Sequence, residues 1–391
     1  MTKYLKKEII LIALAYIVLA ASVGVFFPFN ALYLSGTLNF TNAQISFVDG
    51  FGQLAAMLFL PIAGIISDRT GRPGLTFIFL MIFSGILLLF YARLNSFVYV
   101  ALVYIGYLML RRGIFPILDA LTLNICEHYQ LNFGIFRSIY SGCFMLFAIG
   151  MGFIFKNQSV VDNSFIYISI IFNLVVTVIA IFLPRFKVEP TKKANFKVDL
   201  KELIKNKNFL LFSCAIALAM ATVSIVSMYN PTIIHELGGK VESIGLATIM
   251  QMGSEVIFAL FALKLAKKYG HLKIIVIAMI VLIARWLINA AFFEFSYYYY
   301  LIWIEGFTTI FILIVGMDYV KTIVLPQLIA TSITIYTSIT LLFYAILVNI
   351  SGALRDNYGT TMMFYFQAII SILALLMTIY LLKTLKHKKQ D

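Results

Sequence analysis

The sequence is short of charge, proline and cysteine. Charged residues make up 12% of its 391 positions and apolar residues 62%, with only 8 prolines and 3 cysteines. An ordinary soluble domain carries about 25% charged residues, so this composition excludes that class. The odd number of cysteines, all in or beside apolar runs, gives neither a disulfide framework nor a metal-binding spacing.

Catalytic and nucleotide-binding motifs are also missing from the sequence. It has no glycine-rich nucleotide loop, no nucleophile elbow and no paired-cysteine motif. The four histidines fall at the ends of apolar runs and form no metal pattern: His128, His235, His271 and His387. We therefore expect neither an enzyme nor an ATP-driven pump, and no cofactor or metal.

Long apolar runs dominate the sequence, and the mean hydropathy is +0.97. A run of about twenty residues crosses a ~30 Å hydrocarbon core as a helix, and the strict alternation of a barrel strand is absent. The first run, with lysines before it, is too long for a signal peptide and is predicted to be retained. The sequence predicts an all-α membrane protein with twelve spans near 9–34, 43–67, 74–94, 97–125, 132–155, 164–184, 208–234, 242–266, 273–293, 298–320, 328–352 and 361–383.

The basic residues follow this topology. With a cytoplasmic N-terminus, 22 Lys and Arg fall on the cytoplasmic side and 4 on the opposite side. This asymmetry predicts cytoplasmic N- and C-termini in a multi-pass protein of the plasma membrane. It also accounts for the net charge of +13 without a nucleic-acid partner.

The longest polar connection lies in the middle of the chain. It separates six spans from six, and the turn "GIISDRTGRP" after span two is echoed by "LKLAKKYGHLK" after span eight. We predict two pseudo-symmetric six-helix halves, 1–184 and 208–391, joined by a basic cytoplasmic linker at 185–207.

The turn after span two resembles the signature of the major facilitator superfamily, in the residues Gly64, Asp68, Arg69, Gly71 and Arg72. "GVFFPFNALYL", "FPILDALTL" with "FGIFRSIYSG", and "GSEVIFALFALKLAKKYGHLK" running to "IARWLIN" are similar to segments of the lactose-permease-like and nucleoside:proton-symporter-like branch. The resemblance implies the twelve-helix major facilitator fold and alternating access. It also implies that Asp68 bonds to the opposite half and steadies the outward-facing state. Within this branch, lactose permease has Glu at the position of Asp119 and Trp at that of Phe144, which puts a lactose-type substrate in doubt.

Charged residues inside the spans are the main candidates for function. A mid-bilayer charge costs at least a few kcal/mol, so several of them indicate a paired, water-accessible interior or structural pairs between helices. Four acids and four arginines qualify: Asp49, Arg111, Arg112, Asp119, Arg137, Glu255, Arg285 and Glu305.

Two helical hairpins bring an acid and an arginine to a common depth. Asp119 and Arg137 are equidistant from the turn at His128, as Glu255 and Arg285 are from the turn at Gly270. A carboxylate beside arginine stays ionised, and one left alone in an apolar interior takes up a proton. Asp119, Glu255 and Glu305 are therefore the predicted proton-coupling residues.

Further solute contacts are predicted from spacing and from the resemblance. Phe144 lies two turns after Arg137 on the same face and matches a ring-stacking position of the resembled symporters, with core packing as the alternative. Asn230 lies beside Pro231, and Gln251 lies one turn before Glu255. The predicted solute-binding set is Asp119, Arg137, Phe144, Asn230, Gln251, Glu255, Arg285 and Glu305.

These features predict a monomeric, proton-driven symporter of a small polar solute such as a sugar or nucleoside. Its partners are then the solute, protons and the lipid bilayer. One alternative is efflux of amphipathic drugs or lipids by proton antiport, which the charged interior disfavours. The other is a transport-inactive sensor or scaffold of the same fold, which the intact signature turn disfavours.

Overall fold

The computed structural model of the protein describes residues 7–70, 73–131, 133–156, 158, 161–183, 205–324 and 329–387, without the side chains of 64–70, 124, 329–331, 334 and 385–387. These residues are helical apart from short connections. The helices are α1 (Lys7–Leu32), α2 (Asn42–Thr70), α3 (Pro73–Tyr91), α4 (Phe97–Tyr129), α5 (Phe133–Ile154), α6 (Ser164–Ile181), α7 (Lys207–Glu236), α8 (Val241–Tyr269), α9 (His271–Ala291), α10 (Phe295–Ile323) and α11 (Ile329–His387).

Local sequence sets several helix ends. Pro73 opens α3, where its fixed φ suits the first turn and its missing N–H is not needed. The Asn206 side chain accepts a hydrogen bond from the Phe209 N–H and caps α7. Gln130 ends α4 in the left-handed conformation. These signals place the turns within a few residues of the sequence prediction.

The predicted all-helical membrane fold is confirmed, whereas the count of twelve spans stays a prediction. Eleven stretches of the described residues are long and apolar enough to cross a bilayer. The last of them, Ile335–Thr384, has 50 residues and is broken at Gly359, where φ is 82°. Glycine adopts this φ without the Cβ clash that other residues suffer. The predicted spans 328–352 and 361–383 lie on either side of this break.

Large apolar side chains cover the outer surfaces of the helices. Leu102, Leu146, Leu260 and Ile369 are each more than 60% exposed. A water-soluble protein does not present apolar surface on this scale, whereas lipid tails solvate it. The surface therefore agrees with the hydropathy.

The helices cluster into two compact units. Unit 1 comprises 1–40, 51–192 and 240–248, and unit 2 comprises 41–50, 193–239 and 249–391. Each unit therefore includes one short segment from the opposite predicted half. The division at the linker stays a prediction, and most of 185–207 lies outside the described residues.

Helix α1 in unit 1 and helix α7 in unit 2 are the most buried of the described helices that could span a membrane. In unit 1, α1 packs against α5 and α6, and α3 packs against α4 and α6. In unit 2, α7 packs against α10 and α11, and α9 packs against α10 and α11. A Cβ at Gly24 of α1 would overlap the Phe144 carbonyl of α5, so glycine permits this close approach.

Candidate functional site

In unit 1 the carboxylate of Asp119 binds two partners. The Tyr16 hydroxyl of α1 donates to one oxygen at 2.6 Å, and Arg137 Nη2 of α5 donates to the other at 2.5 Å. Tyr16 is fully buried, whereas 47% of the Arg137 side chain is exposed. The structure thus brings together the acid and arginine that the hairpin predicts. Tyr16 was missed, because nothing in the sequence relates α1 to this depth of α4.

Aromatic rings surround this pair. The Arg137 guanidinium lies 5.2 Å from the centre of the Phe115 ring and 5.9 Å from that of Phe133. Phe115 in turn meets Tyr140 edge-on at 4.6 Å. Rings of this kind hold the guanidinium by cation–π attraction and offer apolar faces to a bound solute.

Phe144 lies one turn beyond Tyr140 on α5, with ring centres 6.4 Å apart. It is buried, at the point where Gly24 lets α1 approach α5. This position fits the packing alternative, and a role in stacking against solute stays a prediction.

In unit 2 the charges centre on Glu305 of α10, which is fully buried. Arg285 Nη2 of α9 donates to one carboxylate oxygen at 2.7 Å. The other oxygen accepts from Gln251 Nε2 of α8 at 2.8 Å and from the Ser227 hydroxyl of α7. Both side chains of the ion pair are 0% exposed, so four helices close around a desolvated salt bridge.

Glu255 and Arg285, which the sequence places at a common depth, do not pair, because Arg285 binds Glu305 instead. Equal distance from the Gly270 turn fixes depth along the hairpin and not the direction in which each side chain points. Glu255 is half-buried and, among the described residues, has no ion-pair partner. It interacts electrostatically with Glu305.

A glycine explains how α8 and α10 meet here. A Cβ at Gly306 would overlap the Ser254 hydroxyl and the Glu255 backbone nitrogen. The two helix backbones are therefore almost in contact beside the two acids. Only glycine allows Glu305 to lie this close to α8.

Several buried polar atoms beside the ion pair lack a protein partner in the part of the chain that the structure describes. They are Arg285 Nε and Nη1, the Trp286 indole nitrogen, and both amide atoms of Asn289. An unsatisfied buried polar group costs about 1–3 kcal/mol, so such a group normally meets water or a ligand. Asn289 lies one turn after Arg285 on α9, and this spacing on one helical face is a signal visible in the sequence.

The remaining predicted residues lie elsewhere. Asn230 is buried and accepts from the Tyr298 hydroxyl. Asp49 accepts from Tyr344. Of the signature turn, Gly71 and Arg72 lie outside the described residues, and Gly64, Asp68 and Arg69 are described only as backbone at the end of α2. Within the described residues, no group of three His, Cys, Asp or Glu side chains could hold a metal ion.

Long apolar helices around buried ion pairs define a multi-pass membrane protein of the major facilitator type, and the comparisons support this class. The description of the matching family model is the MFS_1 like family, and it matches residues 9–366. The chain therefore belongs to this family.

Two curated relatives carry transporter names. An uncharacterized transporter, YwbF, of Bacillus subtilis (strain 168) is 24% identical over 367 residues, 93% of this chain and 91% of its own length. The maltose permease of Geobacillus stearothermophilus is 22% identical over 326 residues, covering 83% of this chain and 82% of its own.

Solved structures show the same fold. The nucleoside transporter NupG superposes with a TM-score of 0.85 at 17% identity, covering 97% of this chain and all of that one. A bacterial homologue of the human lysosomal transporter Spinster gives a TM-score of 0.72 at 13% identity, with 96% of each chain covered. These likenesses extend over whole chains and establish the fold.

Proposed function

We propose that the protein is a proton-coupled symporter that takes up a small polar solute of the sugar or nucleoside kind across the plasma membrane. The two halves alternate access to a central site, and both termini are cytoplasmic. The names of the maltose permease and the nucleoside transporter NupG support this solute class by analogy. The protein acts as a monomer in this proposal.

The observation that carries the proposal is the buried carboxylate cluster of unit 2. Glu305 is fully buried and bound by Arg285, while Glu255 lies across the close approach at Gly306 without an ion-pair partner among the described residues. A purely structural salt bridge needs one acid and one base. The second acid supplies a place for a proton.

The coupling follows from electrostatics in a medium of low dielectric constant. Ionised Glu255 and Glu305 repel each other across the close approach at Gly306, and a proton on Glu255 removes this repulsion. Arg285 lies against Glu305 and balances its charge. Solute that competes for the Arg285 donors weakens the pair and makes protonation of the acids favourable, so solute and proton bind together.

The unpartnered donors of unit 2 provide the solute contacts. Arg285 Nε and Nη1 and the Asn289 amide supply N–H groups to hydroxyl or carbonyl oxygens, and Asn289 Oδ1 accepts a hydrogen bond. Gln251 of α8, which binds Glu305, and Asn230 of α7 are further proposed solute contacts. In unit 1, Arg137 and Asp119 offer a second donor and acceptor, with Phe144 one turn beyond Tyr140. Asp119 is the third proposed proton carrier.

The test uses purified protein in proteoliposomes with an imposed proton gradient and a radiolabelled solute chosen by screening sugars and nucleosides. Glu255→Gln keeps the size of the side chain and removes its titration. We expect it to abolish accumulation above equilibrium and to retain exchange of solute across the membrane.

Glu294→Gln is the matched control, because Glu294 is exposed at the N-terminus of α10 and its side chain makes no capping hydrogen bond. It should accumulate solute as the wild type does. Accumulation by Glu255→Gln at the wild-type level would remove Glu255 from the coupling.

A further inference from the structure

Arg111 is a buried arginine that the proposed function leaves without a role. It lies near the middle of α4, with only 4% of its surface exposed. Neither Nη1 nor Nη2 has a hydrogen-bond partner among the described residues. Its neighbour Arg112 is exposed and donates to Gln53 at 3.1 Å. The two arginines therefore have different environments.

An unpaired arginine at this position needs a partner that the described residues do not supply. Guanidinium stays protonated in proteins, so it cannot escape the cost of burial by losing its proton. Arg111 lies 14 residues after Phe97, about 21 Å along the helix, which is too deep for the side chain to reach the helix end. Buried charges are otherwise paired or bind ligands.

A second unpartnered donor lies on the same face of α4. Tyr107 is one turn before Arg111, is fully buried, and its hydroxyl has no partner among the described residues. Residues four apart on a helix lie one above the other. Tyr140 of α5 interacts electrostatically with both Arg111 and Tyr107. Two helices thus bring hydroxyl and guanidinium groups to one place.

The interior charges of unit 1 favour an anion there. Among the described residues well inside its spans are three arginines, Arg111, Arg112 and Arg137, and one acid, Asp119. That acid is already bound by Arg137 and Tyr16. The excess positive charge attracts an oxyanion, and a guanidinium binds a carboxylate or phosphate through two parallel hydrogen bonds.

We propose that Arg111 and Tyr107 form an oxyanion-binding subsite, and that the transported solute carries a carboxylate or phosphate group. The subsite rests on the proposed function, since it assigns an acidic member of the sugar or nucleoside class to the same carrier. Tyr107 donates the third hydrogen bond, and Tyr140 closes the site from α5.

The test compares acidic and neutral probes of the same shape on the full-length purified protein. Binding of glucuronate, glucose 6-phosphate and glucose is measured at constant ionic strength by saturable thermal stabilisation. We expect at least one acidic probe to bind about tenfold or more tightly than glucose, since hydrogen bonds from a guanidinium to an anionic oxygen are stronger than those to a neutral hydroxyl. Whichever of glucuronate and glucose 6-phosphate binds more tightly shows whether the subsite prefers a carboxylate or a phosphate.

Substitutions at Arg111 and Arg112 show which arginine gives the preference for an acidic probe. Arg111→Gln should remove the preference for the acidic probe, and Arg111→Lys, which keeps the charge, should retain part of it and guards against a folding defect in the first variant. Arg112→Gln removes the same charge one position along the helix and should keep most of the preference. Equal binding of glucose and both acids, no saturable binding of either acid, or loss of preference only in Arg112→Gln would overturn the subsite.

Transport separates this inference from the proposed function. If an acidic probe binds through Arg111 but is not moved by a proton gradient, the subsite stands and the transport proposal fails. If neutral glucose or a nucleoside is accumulated equally by wild type and Arg111→Gln, the transport proposal stands and the subsite fails.

Discussion

Replacing Glu305 by Gln tests whether Arg285 and Glu305 form a desolvated ion pair that stabilises unit 2. The substitution keeps the size of the side chain and an oxygen that accepts from Gln251, but it removes the charge that neutralises Arg285. Both side chains of the pair are 0% exposed, so the lone guanidinium has no access to bulk solvent. Breaking a buried pair in this way costs ~3–5 kcal/mol.

The assay is reversible denaturation of the purified protein in detergent micelles, read as the free energy of unfolding. The double variant Arg285→Gln with Glu305→Gln removes both charges, and we expect it to lose less stability than Glu305→Gln alone. The difference between the two measures the penalty of an uncompensated charge.

A surface ion pair on the same helix supplies the control. Asp318 lies 3.8 Å from Lys321 and 3.0 Å from His271, and all three side chains are partly exposed. Solvent screening limits such pairs to ~1 kcal/mol or less, so Asp318→Asn should have a small effect. If Glu305→Gln costs no more than Asp318→Asn, or if the double variant costs as much as Glu305→Gln alone or more, the assignment of a desolvated ion pair is refuted.

Two further substitutions test the contacts that hold the sites together. Tyr16→Phe removes the donor at 2.6 Å from Asp119 and should lower the free energy of unfolding by ~1.5–3 kcal/mol, because the acceptor is charged; an unchanged value would mean that the contact contributes nothing. Gly306→Ala pushes a methyl group into Ser254 and should cost ~1–3 kcal/mol in the same measurement. Gly316→Ala on the same helix is its control, since the nearest atom lies at 3.8 Å, and equal losses in the two variants would disprove the close approach at Gly306.

The sequence was sufficient for the helical membrane fold because long apolar runs and the distribution of lysine and arginine follow from bilayer physics. It also placed Asp119 and Arg137 at a common depth, because in a tight hairpin equal distance from the turn means equal depth, and the structure shows them paired. In the same way the sequence placed Glu255 and Arg285 at a common depth, although Arg285 pairs with Glu305. Depth does not determine the direction of a side chain, and Glu305 enters from a helix outside that hairpin.

The residues missed by sequence reasoning share a physical cause. Tyr16 and Ser227 reach their carboxylates from α1 and α7, which no local spacing connects to α4 or α10. Tyr107 stands out only once its burial and the absence of a described partner are known, whereas Asn289 has the one-turn spacing from Arg285 as a signal in the sequence. A single sequence records what each helix carries, whereas these contacts depend on how each helix is rotated about its axis.

The close approach at Gly306 restricts how this site changes during evolution. Glu305 and Gly306 can lie against α8 only while residue 254 has a small side chain. Residues 254 and 306 are therefore not free to vary independently. We expect homologous sequences to exchange residues 254 and 306 together, with a larger residue at one position matched by a smaller one at the other. Chains that keep "SE" on the eighth helix and "EG" on the tenth can therefore be sought by sequence alone as carriers of the same buried acid pair.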